Sequence, residues 1–255
     1  MCLIVFAWGV VPGTSLVLAC NRDEFFERPA APAAWWEDHP QVYAGRDLQG
    51  GGTWLGVTRE GRFAALTNIR APAEHKADAH SRGMLVADYL CGQSTPEAYI
   101  AELMQEISAD PDRYNGFNLI VGTPDKLIWY NNRDRNDARN GQLLAPGIYG
   151  LSNDRLDSPW PKVVRTKAQF ASLLCQCAPQ DAYFEMLTDT TRASDCRLPQ
   201  TGVGIEWERV LSAVCIESPT YGTRVSSVVQ VYPDRAPVLL ERPIHQGAGS
   251  RLIQV

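Results

Sequence analysis

Residues 1–24 read MCLIVFAWGVVPGTSLVLACNRDE, and two incompatible structures compete for them. A long apolar run ending in Leu18-Ala19-Cys20 has the outline of a secretion signal with a lipoprotein cleavage box. A secretory signal needs a positively charged start, however, and no Lys or Arg precedes Arg22. Its apolar segment should also be unbroken, whereas Pro12-Gly13-Thr14-Ser15 is a turn cluster in the middle. The flanking runs, residues 3–8 and 16–20, are rich in Val, Ile, Leu and aromatics and are each about strand length. The stretch is therefore expected to be a β-hairpin. With Pro12-Gly13 as a two-residue tip, Cys2 would lie opposite Asp23. Because Pro-Gly is a poor hairpin tip, a longer loop and a slip of one or two residues are expected. In every register NRDE (residues 21–24) lies beside residue 2.

Outward from the hairpin, residues 28–34 read as an extended connection, with Trp35-Trp36 after it as an exposed or lid-like pair. Gly50-Gly51-Gly52 opens the strand TWLGVT, and RFAALTN (residues 62–68) returns beside it. Without a helix directly after it, the triple glycine reads as a tight turn rather than a phosphate cradle. Helical periodicity follows over residues 81–90 and 96–107. GFNLIVG and KLIWYNN form a second strand pair, and residues 148–152 a short strand. A helix is expected from Ser158 or Pro159 to about Leu174, a short one over 181–187, and a loop over 192–204. SAVCIES, SSVVQVY and PVLLER are expected as three closing strands. Strands, then helices, then strands argue for antiparallel sheets covered by helices, in one domain spanning residues 1–255.

Composition removes several function classes. A net charge of −5 without a Lys/Arg block gives nucleic-acid binding no support, and no run is long and apolar enough for a transmembrane segment. The seven cysteines include no C-x-x-C pair, and the four histidines are dispersed. No metal site and no required cofactor are expected. Scattered thiols suit a reduced, cytoplasmic setting.

Cys2 carries the most chemistry. Removal of Met1 before a small residue would leave Cys2 with a free α-amino group. That amine has an ordinary pKa of roughly 7.7–8.0 and a thiol about 8.5, so the neutral amine can take the thiol proton near neutral pH. Arg22 nearby would favour the thiolate, and Asp23 could hold the ammonium form. In an extended strand Arg22 and Asp23 face opposite sides, so both reach Cys2 only if the chain turns there.

MCLIVFAW, NRDE, GGTWLG, AALTNIR, SRG, GFNLIVG, GLSNDRLDSPWPK and YGTRVSS together resemble the NRDE family, also called the transport-and-Golgi-organisation-two family. Its layout is similar to that of the N-terminal nucleophile hydrolases, especially the cysteine branch with penicillin V acylase and bile-salt hydrolase. The resemblance implies an α+β fold, a four-layer αββα sandwich of two antiparallel sheets. It also implies Cys2 as nucleophile, Asn68 in LTN and Asn153 in LSN as oxyanion donors, and Arg224 in YGTR as a late active-site arginine. Each has a plainer role too: a small apolar residue for Cys2, a turn for Asn68, a cap for Asn153, a surface ion pair for Arg224. The sequence departs from that branch at NRDE, where Arg22 and Asp23 are adjacent rather than three apart. The partner of the Cys2 amine stays unassigned.

Two functions follow from the resemblance. One is an amidohydrolase acting on a small non-peptide amide or acyl compound. The other is a carrier of haem or acyl lipid in the same cleft, with Trp35, Trp36 and Trp54 as apolar walls. The expected partner in both is a small molecule.

Overall fold

The computed structural model describes residues 2–244, with Cys2 described as a backbone position only. Strand β1 (Cys2–Val11) pairs antiparallel with β2 (Thr14–Phe25) around Pro12-Gly13. These two lie near the centre of a five-stranded sheet, flanked by β9 (Gly147–Leu151) on one side and by β10 (Tyr221–Val231) and β11 (Val238–Pro243) on the other. A second, six-stranded antiparallel sheet follows chain order: β3 (Ala30–Trp35), β4 (Val42–Asp47), β5 (Leu55–Thr58), β6 (Phe63–Asn68), β7 (Phe117–Thr123) and β8 (Lys126–Asn131).

Strand alternation builds the layers. Ile4, Phe6, Trp8, Leu16, Leu18 and Cys20 point to one side of the hairpin and meet Leu55, Phe63, Ile120 and Trp129 of the second sheet. Leu3, Val5, Ala7, Val17 and Ala19 point to the other side, under α3 (Pro161–Cys175) and α4 (Gln180–Met186). The far face of the second sheet is covered by α1 (Gly83–Cys91) and α2 (Pro96–Ala109) through Leu85, Leu90, Ile100 and Leu103. The result is the four-layer αββα sandwich. Because β1 is buried on both faces, its sequence is apolar without alternation, which is why it resembles a signal peptide. Among the described residues no helix is long and apolar enough to cross a membrane.

The hairpin slips by one residue, but not by lengthening its loop. Val11 pairs with Thr14, so the two-residue tip stands, with Gly13 at φ +70°. The slip arises at an irregularity between Trp8 and Val11, where Gly9 adopts φ +60°. Such a bulge absorbs one residue and favours glycine. From Trp8 to Cys2 the register is then Trp8↔Leu16 through Leu3↔Asn21 to Cys2↔Arg22.

Three further expectations are corrected. Residues 28–34 include the edge strand β3, and Trp36 is buried on the α1/α2 side, its Nε1–H donating to the Ala44 carbonyl. It is no lid. SAVCIES is not a strand: helix α5 (Ile205–Leu211) precedes an irregular segment in which Ala213, Val214, Cys215 and Ile216 are all buried. Backbone groups there are satisfied by partners distant in sequence, as buried groups must be. Asn21 Nδ2 donates to Val214 O at 2.9 Å, Cys215 N to Asp189 O at 2.8 Å, and Ile216 N to Thr223 Oγ1 at 2.8 Å.

One polar contact ties the sheets together at their edges. The β3–β4 pairing is irregular between Ala31 and Ala34, and the Ala33 N–H donates at 3.1 Å to Glu241 Oε1 of β11. Burial pushes the Glu241 carboxyl up from 4.5 to about 7, against the Ala33 N–H and the Arg22 charge, which pull it down. Burial, and then the Glu241 charge, raise the Tyr43 hydroxyl above its ordinary range.

Two outcomes test this architecture. Phe6 is fully buried between the sheets, so Phe6→Ala should cost about 3–5 kcal/mol in urea unfolding. A carboxyl with a raised pKa contributes stability that is complete below its unfolded value and lost as pH rises through its folded one. Wild type should therefore lose stability relative to Glu241→Gln between pH 4.5 and about 7, and the two curves should run parallel above that window.

Candidate active site

At the end of the hairpin opposite its turn, β2 runs on past the start of β1 and borders a cleft of about 380 Å³. Arg22, Asp23 and Glu24 line it from the first sheet. Thr53 and Trp54 after the triple glycine, and Leu66 and Asn68 of β6, line it from the second. The segment from His75 to Gly83 closes the remaining side. The glycines allow this closure: a Cβ on Gly52 would stand 2.3 Å from the Gly83 carbonyl, at the start of α1. The triple glycine is thus a close-packed turn in the cleft wall.

Strand alternation divides NRDE between two environments. Arg22 and Glu24 continue the inter-sheet row of Leu18 and Cys20. The Arg22 side chain is 6% exposed, stacks over the Trp54 ring at 4.2 Å, and has Glu24 Oε2 at 3.9 Å. Asn21 and Asp23 continue the opposite row, under the helices. Asn21 accepts from Ser226 Oγ at 2.6 Å and donates to the Leu187 and Val214 carbonyls, so it pins β10, α4 and the buried irregular segment together. Asp23 Oδ1 accepts from Thr223 Oγ1 at 2.7 Å. Burial raises the Asp23 carboxyl above its ordinary range, and the positive charge of Lys162 is the strongest influence pulling it back.

The six expected residues fare differently. The Cys2 backbone pairs with Arg22, while its side chain lies outside the described residues. Asn68 lines the cleft at the end of β6. Asn153 is buried behind it: its Nδ2 donates to the Asn68 carbonyl at 2.8 Å, and its own carbonyl accepts from Arg70 N at 2.7 Å. One amide proton of Asn153 is therefore committed to placing Asn68. Arg224 is not among the cleft-lining residues. It occupies a bulge of β10 between Thr223 and Val225, and its guanidinium donates to the Phe25 carbonyl at 3.3 Å and to that of Arg28. It clamps the chain as it leaves β2. A bulge re-aims a side chain in a way that sequence spacing cannot show.

Three charged residues beneath the site had no assigned role in the sequence. Lys162 is 1% exposed in the first turn of α3. Arg70 and Glu208 form a buried ion pair at 2.6 Å, with Arg70 4.7 Å from the Trp160 ring centre and Glu208 accepting from Thr201. Periodicity could have found Lys162: residues 162, 163, 166 and 170 form the buried stripe of α3.

Chemically, the cleft offers guanidinium and amide donors beside the N-terminal end of β1, with Trp54 and Leu66 as its large apolar lining residues. Of the two other tryptophans expected as walls, Trp36 is on the far face of the second sheet and Trp35 packs with Tyr43 and Arg59. Neither walls the cleft. Among the described residues no cluster of His, Cys, Asp and Glu could hold a metal.

The sequence profile of the family described as Transport and Golgi organisation 2 matches residues 1–246. A Bos taurus Transport and Golgi organization protein 2 homolog is 36% identical over 263 residues, covering 95% of this chain and 92% of its own. The Homo sapiens homolog is 33% identical over the same share of both chains. Among solved structures, a C2A mutant of conjugated bile acid hydrolase from Clostridium perfringens is 10% identical with a TM-score of 0.45, over 99% of this chain and 92% of that one. Penicillin V acylase from Agrobacterium tumefaciens is 12% identical with a TM-score of 0.42, over 100% and 86%. On profile and identity over nearly its whole length, the chain belongs to the Transport and Golgi organisation 2 family.

Proposed function

We propose that the protein is a cysteine amidohydrolase of small non-peptide amides or related acyl compounds, working from Cys2 after loss of Met1. The observation that carries this reading is the register at the end of the central hairpin. It sets the Cys2 backbone opposite Arg22, whose buried guanidinium lines a polar cleft that Asn68 lines from the other sheet. In this scheme the α-amine takes the Cys2 proton and Sγ attacks the acyl carbon. Arg22 favours the thiolate, and the Asn68 amide stabilises the oxyanion. The C–N bond then breaks, the amine leaves with the proton, and a thioester remains. Water attacks the thioester, releasing the carboxylic acid and restoring the thiol. Cys175, Cys177 and Cys196 are exposed thiols, which suits the reducing cytoplasm we assign to it.

The carrier reading has less support. A haem needs a broad apolar slot, and this cleft is walled mainly by charged and amide groups, with Trp54 alone of the three tryptophans. His75 and His80 also line the cleft and could offer an imidazole to haem, but the apolar slot is lacking, and no step is routed through haem.

Timed iodoacetamide labelling with peptide mapping tests the site. Cys2 should label faster than the exposed Cys175 and Cys196, and buried Cys20 and Cys215 should label slowest. Arg22→Met should slow Cys2 labelling at neutral pH while leaving unfolding unchanged, because only the thiolate reacts. Equal labelling of Cys2 and Cys175, or indifference to Arg22, would end the catalytic reading. With an acyl electrophile that forms a Cys2 adduct by intact mass, Asn68→Ala should slow adduct formation by roughly 10²–10³-fold.

A further inference from the structure

Lys162 is in an expensive place. A lysine that is 1% exposed has lost its hydration, and such a charge persists in a protein interior only beside a compensating charge. Its position adds a second cost. Trp160 is the N-cap and Pro161 the first residue of α3, so Lys162 stands in the first turn, where the helix dipole disfavours a cation. Neighbouring positions of the buried stripe, Val163 and Phe170, pack on the outer face of the first sheet together with Leu3, Val5, Val17 and Ala19. Asp23 belongs to the same face, by strand alternation from Val17, Ala19 and Asn21. It too is buried, and Lys162 is its strongest charged neighbour.

Among the described residues, charged and titratable groups around Asp23 come from four elements. They are Lys162 of α3, Arg70 after β6 (already paired with Glu208), the Cys215 thiol of the irregular segment, and Thr223 of β10 as hydrogen-bond donor. Register then says what the pair flanks. With Leu3 opposite Asn21 and Cys2 opposite Arg22, Asp23 is the first residue of β2 beyond the start of β1. The strand stays extended to Phe25 and does not turn, so Arg22 serves residue 2 from the cleft side and Asp23 is left the backbone amine, from the helix side.

We propose that Lys162 is a positioning residue of the site: it keeps Asp23 ionised on the helix-covered face, so that the carboxylate holds the α-ammonium of a chain that begins at Cys2. Lys162 touches no substrate. It acts through Asp23 and sets the proton affinity of the amine that serves Cys2. The proposal rests on the hydrolase reading for the purpose of that amine, but its test does not require turnover.

The test measures α-amine acylation by acetic anhydride across a pH series, with peptide mapping. A Cys2→Ala background removes the competing thiol. Lys162→Met should lower the pKa of the amine and raise its acylation rate at pH 7 by about threefold or more. Lys162→Arg should stay near the parent, since it keeps the charge. Asp23→Asn should match Lys162→Met, and combining the two should add nothing. If Lys162→Met acylates like the parent at every pH, or adds to Asp23→Asn, the proposal is overturned. Should Lys162→Met fail to fold, the double variant decides, because neutralising both partners removes the unpaired buried charge. Recovery of the fold in the double variant, with Asp23→Asn acylating faster than the parent, supports the pair. No recovery overturns it. Failure of Cys2 to out-label Cys175 in the wild type would instead count against the hydrolase reading alone.

Discussion

The pairing of β1 with β2 near the middle of the first sheet is the constraint on which the rest of the molecule hangs. Its Phe6 and Leu18 side fills the space between the sheets, and its Val5 and Ala19 side seats α3 and α4. A one-residue change in register would exchange those two sets of side chains. The bulge at Gly9 is confined to the turn end, so the pairing from Trp8 to Cys2 is uninterrupted. The same register that packs the core delivers residue 2 beside Arg22.

From that pairing follows the split character of NRDE. Four consecutive polar residues on an extended strand cannot all face one cleft. Arg22 and Glu24 look between the sheets, while Asn21 and Asp23 look under the helices, where each is buried and hydrogen-bonded. The motif is therefore half a cleft wall and half a polar anchor for the helical layer. The anchor is extensive: Asn21 joins three chain segments, and Asp23 lies among Thr223, Lys162, Arg70 and Cys215. Buried polar groups of this kind hold their geometry because each lost partner would leave an uncompensated group. The wall of the cleft and the anchor behind it are held by one strand.

The second sheet supplies the other wall by equally local means. Glycines 50–52 let the chain turn tightly against the start of α1, and β6 ends on Asn68 at the cleft. Asn153 reaches across from the β9 side to the Asn68 carbonyl. Glu241 fastens the two sheets at their edges, with Arg22 close enough to influence its charge. The site is assembled at the ends of strands from both sheets, with side-chain to main-chain bonds across the seam.

Much of this was legible in the amino-acid sequence, because short-range physics determines it. Apolar runs of strand length, turn clusters and helical stripes mark β1, the start of β2, β6, β7, β8, α1, α2 and α3 to within a few residues. The polar block after residue 20 marks the end of the hairpin at which the cleft lies, and the motif set points to the family. What the tertiary structure alone decided are the features without a local period. Ala213–Ile216 looks like a strand because it is uniformly apolar; its backbone bonds are made by Asn21, Asp189 and Thr223, which only the fold brings near. Arg224 looks like a site residue, but a bulge turns it onto the carbonyls of Phe25 and Arg28. Trp36 looks exposed until α1 and α2 cover its face of the sheet. Lys162 lies on a stripe that the sequence displays, yet its meaning depends on a buried carboxylate 139 positions earlier, Asp23. Periodicity determines which face a residue occupies; only the packing of distant segments determines what that face meets.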